Sequence, residues 1–477
     1  MQIPLFLLIV LFHFCGPETT SAAALRAGVA RIDITPPLKM NAPLGGYGER
    51  MNQPARGIHD RIFAKALFLA DGNRPFVIVT ADMIGFPPTF KPEIIRELND
   101  PRLTLENLLL LPSHSHTSVE MNAFHPGNTY KIPQIGIYNQ DVHKFLVERF
   151  VSVIRAACEQ PVPVCVGTAS QSIPGWNRNR RHEGGLTDDD LTLTRVDTLE
   201  GKSLAVLVNF AAHPTFLGAE QMEFSGDWPG QLQRTLESLI GHETTVMYYN
   251  GAEGDQAPVA RPDSGSSPWE KGGRYGAELA IVAWRLFSAT STHADVSFQY
   301  HREVIELPLT SWHPKFMETG GAEYGLNETI LKEMLPRMFP KMTASVSLRL
   351  GDLLIVGIPG EMAAELGRSI KQRAAKLTGA ICPVIGGLAD EWDSYILPAT
   401  EYRLGGYEAS VSFYGETLGS TIVEGAVLVS RGYLLSERHS RRLRIRRLSC
   451  KQSCCLWPSF KCDRRKTWRI MSVVCKG

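Results

Sequence analysis

Apolar residues recur along this chain with two periods, one of two positions and one of three to four. Alternation predicts a strand over 27–36, ended by Pro36-Pro37, and a pair over 62–70 and 76–81 around the turn Asp71-Gly72-Asn73. Four consecutive leucines, Leu108 to Leu111, predict a buried strand that Pro112 and Ser113 terminate. Further strands are expected over 163–168, 204–210, 244–249 and 345–356. Helical spacing marks 91–99 and 141–157; in the second, Val142, Phe145, Leu146, Phe150, Val153 and Ile154 share a face. Helices are also expected near 229–240, 274–288 and 361–376. Strands and helices alternate, which predicts an α/β fold of mixed β-sheets layered with helices. No internal repeat is visible. The stretch 309–343, rich in Met, Pro and Gly, reads as one long irregular insertion, a lid or surface excursion.

Chemistry-bearing residues sit where several of these strands end. His114 and His116 follow the leucine run two positions apart, so an extended backbone turns both imidazoles to one side. Neutral imidazole is a common metal ligand, and such a pair is half a site; an ordinary polar loop is the plainer reading. Strand 204–210 leads into Ala212-His213-Pro214, and strand 244–249 into Asn250-Gly-Ala-Glu-Gly-Asp255. A third apolar stretch ends at Pro359-Gly-Glu361, where a helix is expected to begin. Asp255 could cap a turn, and Glu361 could sit in a first helical turn, where the macrodipole favours acids. Functional groups at successive strand ends converge at one rim of an α/β sheet. Three histidines and a carboxylate suit a catalytic zinc with a position open for water.

Composition and charge narrow the setting. Residues 1–24 carry the apolar run Ile3 to Phe12 and end in Ala22-Ala23-Ala24, which reads as a secretory signal peptide. No later stretch gives the roughly 20 uninterrupted apolar residues of a membrane helix, so an exported, soluble protein, secreted or periplasmic, is expected. The chain's formal charge of +1 hides an asymmetry. Fourteen basic and two acidic residues lie from Arg431 onward; the other 36 basic and 47 acidic residues give the body a net −11. An acidic body argues against nucleic acid as a partner. The end, 436–477, is basic, holds five of the nine cysteines and follows neither period. It is expected to stand outside the fold, as a misread end or a basic tail. Cys158, Cys165 and Cys382 in the body do not make a disulfide framework.

Five blocks in order give the region from about 26 to 430 a resemblance to the neutral/alkaline (non-lysosomal) ceramidases. They are Gly28 to Thr35 with Gly57-Ile-His-Asp-Arg61, Ser113-His-Ser-His-Thr117, Asn209-Phe-Ala-Ala-His-Pro-Thr215, Pro359-Gly-Glu361, and Tyr395 to Ser410 with Tyr395 and Tyr407 twelve apart. The resemblance implies one large catalytic domain over 25–435, without the immunoglobulin-like C-terminal domain of larger members. It implies zinc held by His114, His213, Glu361 and Tyr395. His116 would face substrate and serve the leaving amine, Tyr407 would donate to the scissile carbonyl, and Asp255 would orient a histidine. Read without the resemblance, Tyr395 and Tyr407 would be core aromatics. The implied reaction is hydrolysis of the N-acyl amide of ceramide-like lipids by attack of zinc-bound water. Other N-acyl amides or esters, or lipid binding without turnover, are the alternatives.

The chain also departs from that family's pattern. Its Gly-Asp-Val-Ser-Pro block, whose serine has been proposed as catalytic, reads Gly254-Asp-Gln-Ala-Pro258 here, so Ala257 offers no oxygen for a covalent route. The glycines that follow the family's histidine block are replaced by Ser118-Val-Glu120, which is expected to reshape the pocket mouth.

Overall fold

The computed structural model describes residues 24–433. The leader expected over 1–24, but for its last residue, and the tail over 436–477 lie outside the described residues. Eight strands form a large mixed sheet in the order Thr245–Asn250, Ser203–Phe210, Asp190–Thr198, Val162–Ser172, Arg26–Asp33, Phe63–Asp71, Arg74–Ala81, Leu108–Pro112. Pairing is antiparallel through the middle and parallel at both ends, where Tyr248 lies opposite Val208 and Leu110 opposite Val79. The two parallel strands that bear the site's loops are buried along almost their whole length, which is why both read as unbroken apolar runs.

One face of this sheet is covered by helices. Helix Gln140–Glu159 lays Val142, Leu146, Phe150, Val153 and Ile154 on Ala66, Phe68, Val77 and Val79, the face its periodicity predicts. Asn139 caps it by accepting from Asp141 and Val142. Helices Asp227–Ile240 and Pro268–Ala289 cover the other half of that face through Trp228, Leu232, Tyr275 and Leu279. On the opposite face lies a second sheet, Phe298–Glu306, Met342–Leu350, Leu353–Gly357 and Cys382–Gly386. Leu109, Leu111, Leu207 and Met247 of the large sheet meet Val346, Leu348, Ile355 and Val384 of the small one in a common core. Helix Ala364–Thr378 packs on strand Cys382–Gly386. Among the described residues no helix is long and apolar enough to cross a membrane.

Three expectations change. The apolar stretch 345–356 is two antiparallel strands, turned at Gly351, whose φ of +61° suits glycine. The helix expected from 361 begins at Ala364, and Glu361 lies just before it in a two-residue strand. The stretch 309–343 is not an irregular excursion: it holds helices Gly320–Tyr324 and Glu328–Met338, and Met342 opens a strand. Leu331, Met334, Leu335 and Met338 keep helical spacing there, but Pro336 inside the helix and the flanking glycines masked it. Their faces join Phe316, Tyr395, Leu397 and Phe413 in a separate apolar cluster.

Candidate active site

The parallel strand pair at each end of the large sheet delivers one histidine. Beyond Pro112 the chain stays zipped to its neighbour, Ser113 donating to Ala81 and His114 to Met83. His114 then takes φ +68°, a region that non-glycine residues seldom occupy. This turn lets its Nδ1 donate to the Ile84 carbonyl at 2.6 Å, leaving the Nε2 lone pair free. His213 follows Ser203–Phe210, and its Nδ1 donates to the Glu253 carbonyl at 2.8 Å, which likewise frees Nε2. Asn250, wholly buried, holds the two histidine loops together. Its Nδ2 donates to Ser113 and Ala212, and its Oδ1 accepts from Ala212 and Gly251.

The other two expected ligands come from one rung of backbone pairing. Strands Glu361–Met362 and Tyr395–Ile396 run parallel with Glu361 opposite Tyr395. Glu361 Oε2 lies 3.0 Å from His213 Nε2 and 3.4 Å from His114 Nε2. The Tyr395 hydroxyl is 3.5 Å from His213 Nε2. His116 Nε2 stands 3.3 Å from His114 Nε2. The structure thus brings His114, His116, His213, Glu361 and Tyr395 together, all of them buried.

Electrostatics follow from that burial. Desolvation, then His114 and His213, hold the His116 imidazole well below its usual pKa. Desolvation and then Arg180 bring His213 down to about 4. Burial alone would raise the Glu361 carboxyl, but the facing His114 and His213 keep it well below the carboxylate range. Burial and then Glu361 push the Tyr395 phenol far up. These shifts favour the neutral form of His116 and His213, the form that binds metals, and the ionised form of Glu361.

These groups open on a cavity with an empty volume of about 1070 Å³, open solvent at its mouth included. His114, His116, Glu361, Tyr395 and Tyr407 line it together with Ile84, Met121, Leu326, Met334, Met338, Phe339 and Phe413. Tyr407 is 37% exposed, shares a 2.7 Å hydrogen bond with the Tyr324 hydroxyl, and stands with its ring 5.9 Å from that of Tyr395. Asp255 does not take the position expected of it. Its carboxylate accepts from Asn179, Gln256 and the Ala364 N–H at the start of helix Ala364–Thr378, while Glu253 O orients His213. Ala257 pairs with Arg178 in a short two-stranded ladder and is not among the residues lining the cavity.

Residues 25–260 match the family profile described as neutral/alkaline non-lysosomal ceramidase, N-terminal. The chain belongs to that family. The neutral ceramidase of Drosophila pseudoobscura pseudoobscura is 28% identical over 256 residues, half of this chain and 35% of the relative. This chain therefore spans about a third of that relative's length. Neutral ceramidase B of Dictyostelium discoideum aligns with 85% of this chain and 72% of its own length at 19% identity. The crystal structure of neutral ceramidase from Pseudomonas aeruginosa shares the fold, with a TM-score of 0.72 at 18% identity over 88% of this chain and 75% of that one. A ceramidase complexed with C2 gives 0.73 over 87% and 76%, also at 18% identity.

Several residues that serve this ceramidase-family site carry no signal of their own in the sequence. Arg180 donates to the Tyr395 hydroxyl at 2.9 Å and to Glu408 at 2.7 Å. Trp392 Nε1 donates to Glu361 Oε1 at 2.8 Å, fixing the carboxylate's other oxygen. Gly46, at φ +89°, lies so close to His116 that a Cβ there would fall 2.3 Å from Nδ1, so the glycine admits that ring.

Proposed function

We propose that this chain is a zinc-dependent amidohydrolase that cleaves the N-acyl amide of ceramide-like lipids into a sphingoid base and a fatty acid. The observation that carries this reading is the convergence of His213 Nε2 with His114, Glu361 and Tyr395, the last three on the wall of a largely apolar cavity. The donor set fits zinc: two imidazoles whose Nδ1 atoms are already spent on carbonyls, one carboxylate and one phenol. Zinc bound there would supply a Lewis acid that brings the pKa of water to about 7. The apolar walls suit an acyl chain and keep bulk water from the amide. Tyr407, paired with Tyr324, offers an O–H to the amide oxygen as negative charge develops on it. His116, neutral, accepts a proton at Nε2 and returns it to the leaving amine. Because Ala257 lies off the cavity, the absence of a serine there is compatible with turnover. Export through the leader over 1–24 would place this activity outside the cytoplasm.

The test is release of fatty acid from a fluorescent acyl-sphingosine by purified protein, with and without a chelator. Turnover that the chelator abolishes and zinc restores is expected. Inertness toward acyl-sphingosines, short N-acyl amides and esters alike would reject the reading, as would turnover indifferent to chelation.

A further inference from the structure

Glu253 is the group that the reaction above leaves unused. It lies in the loop between strand Thr245–Asn250 and Asp255, and its side chain is fully buried. Both carboxylate oxygens lack any hydrogen-bond partner. A buried carboxylate with neither hydrogen bond nor counter-ion costs several kcal/mol, and folded proteins rarely keep one. Its surroundings say what the missing partner is. One Glu253 oxygen lies within 4.8 Å of both a His114 ring nitrogen and a Glu361 oxygen, and those two lie within the same distance of each other. Gly387 leaves room for this carboxylate, since a Cβ there would stand 2.5 Å from Glu253 Oε2. Like charge from Glu361 makes the arrangement worse unless a cation sits between the two acids.

We infer that Glu253 is a second carboxylate ligand of this chain's metal centre, sharing the cation with His114 and Glu361. The inference rests on the reading that those residues bind a divalent metal. Two carboxylates balance a 2+ ion within a wholly buried site, where net charge is costly. A centre richer in oxygen donors also accepts more than four ligands, so manganese and cobalt should bind alongside zinc.

The experiment uses full-length protein stripped by a chelator, in three forms: wild type, Glu253→Gln and His213→Ala. Each is titrated with zinc against a chromophoric competitor, and with cobalt while the visible d–d bands are recorded. Gln keeps the shape of Glu, and cooperative melting of the metal-free variant shows that it folds. Expected are at least tenfold weaker zinc binding in Glu253→Gln, a changed cobalt spectrum, and loss of binding in His213→Ala. Glu253→Gln binding zinc within twofold of wild type, with an identical cobalt spectrum, overturns the inference and leaves the metal reading intact. Wild type that binds no metal overturns both.

Discussion

Lys91 tests how the site's outer frame is held. Its ammonium, buried in helix Phe90–Leu98, donates to Asp390 Oδ2 at 2.7 Å, and Asp390 Oδ1 accepts the Leu110 N–H at 2.9 Å. Helix, leucine strand and the loop that carries Trp392 and Tyr395 therefore meet in one ion pair. Burial lowers the Lys91 pKa, and Asp390 opposes that shift. Lys91→Met removes the cation and leaves the buried Asp390 carboxyl without its partner. Breaking a buried pair from one side costs about 3–5 kcal/mol, against about 0–1 kcal/mol for a surface pair. Arg373 and Glu424, paired on the surface, supply the control. In urea unfolding, Lys91→Met should lose ~3–5 kcal/mol and Arg373→Ala under ~1 kcal/mol. Adding Asp390→Asn to Lys91→Met should recover most of the loss. Asn tolerates the +69° φ of position 390 and still accepts from Leu110. A single-variant loss below ~1 kcal/mol, or a double variant no better than the single, would refute the reasoning.

Other outcomes are equally specific. Tyr407→Phe should lower kcat by roughly 10²–10³ while zinc content and Tm stay as in wild type; unchanged kcat would remove Tyr407 from the chemistry. Trp392→Phe takes away the donor to Glu361 Oε1, so zinc affinity should fall about 10–100-fold in a competitor titration. Asp227, whose Oδ2 has no partner, is pushed up to about 7 chiefly by burial. Native protein then holds a proton that unfolded protein has lost between about pH 4 and 7, so this group's stability contribution falls as pH rises through that window. Asp227→Asn should cancel the fall, gaining up to about 4 kcal/mol over wild type between pH 5 and 8 in urea titrations; a pH-independent difference would contradict it.

Much of the frame was legible because the signals were local. The leucine run and the amphipathic helix Gln140–Glu159 each state their burial in their own spacing. The ligand candidates could be read because His114 and His213 directly follow such strands. What stayed hidden depends on distant partners. Asn250 looks like any turn residue until both histidine loops arrive at its amide. Arg180 meets Tyr395 across 215 positions, and no pattern of residue types encodes that meeting. Asp255 drew an expectation from its neighbourhood to the site. Its carboxylate serves the helix start at Ala364, a task that sequence alone does not separate from holding an imidazole. Glu361 was placed in a helix because Ala364–Thr378 follows so closely. The two-residue pairing with Tyr395–Ile396 outweighed propensity there.

The order of strands in the large sheet has a kinetic consequence. Leu108–Pro112 and Thr245–Asn250 stand at its opposite ends, yet Asn250 joins the loops that follow Leu108–Pro112 and Ser203–Phe210. His213 and Glu361, 148 positions apart, meet at the same place. No hairpin or helical segment can assemble such a site early, since its ligands are joined by contacts far apart in the sequence. Metal affinity during refolding should thus arise in the slowest phase, together with the last tertiary signal. Species that form earlier would be compact, sheet-containing and blind to zinc.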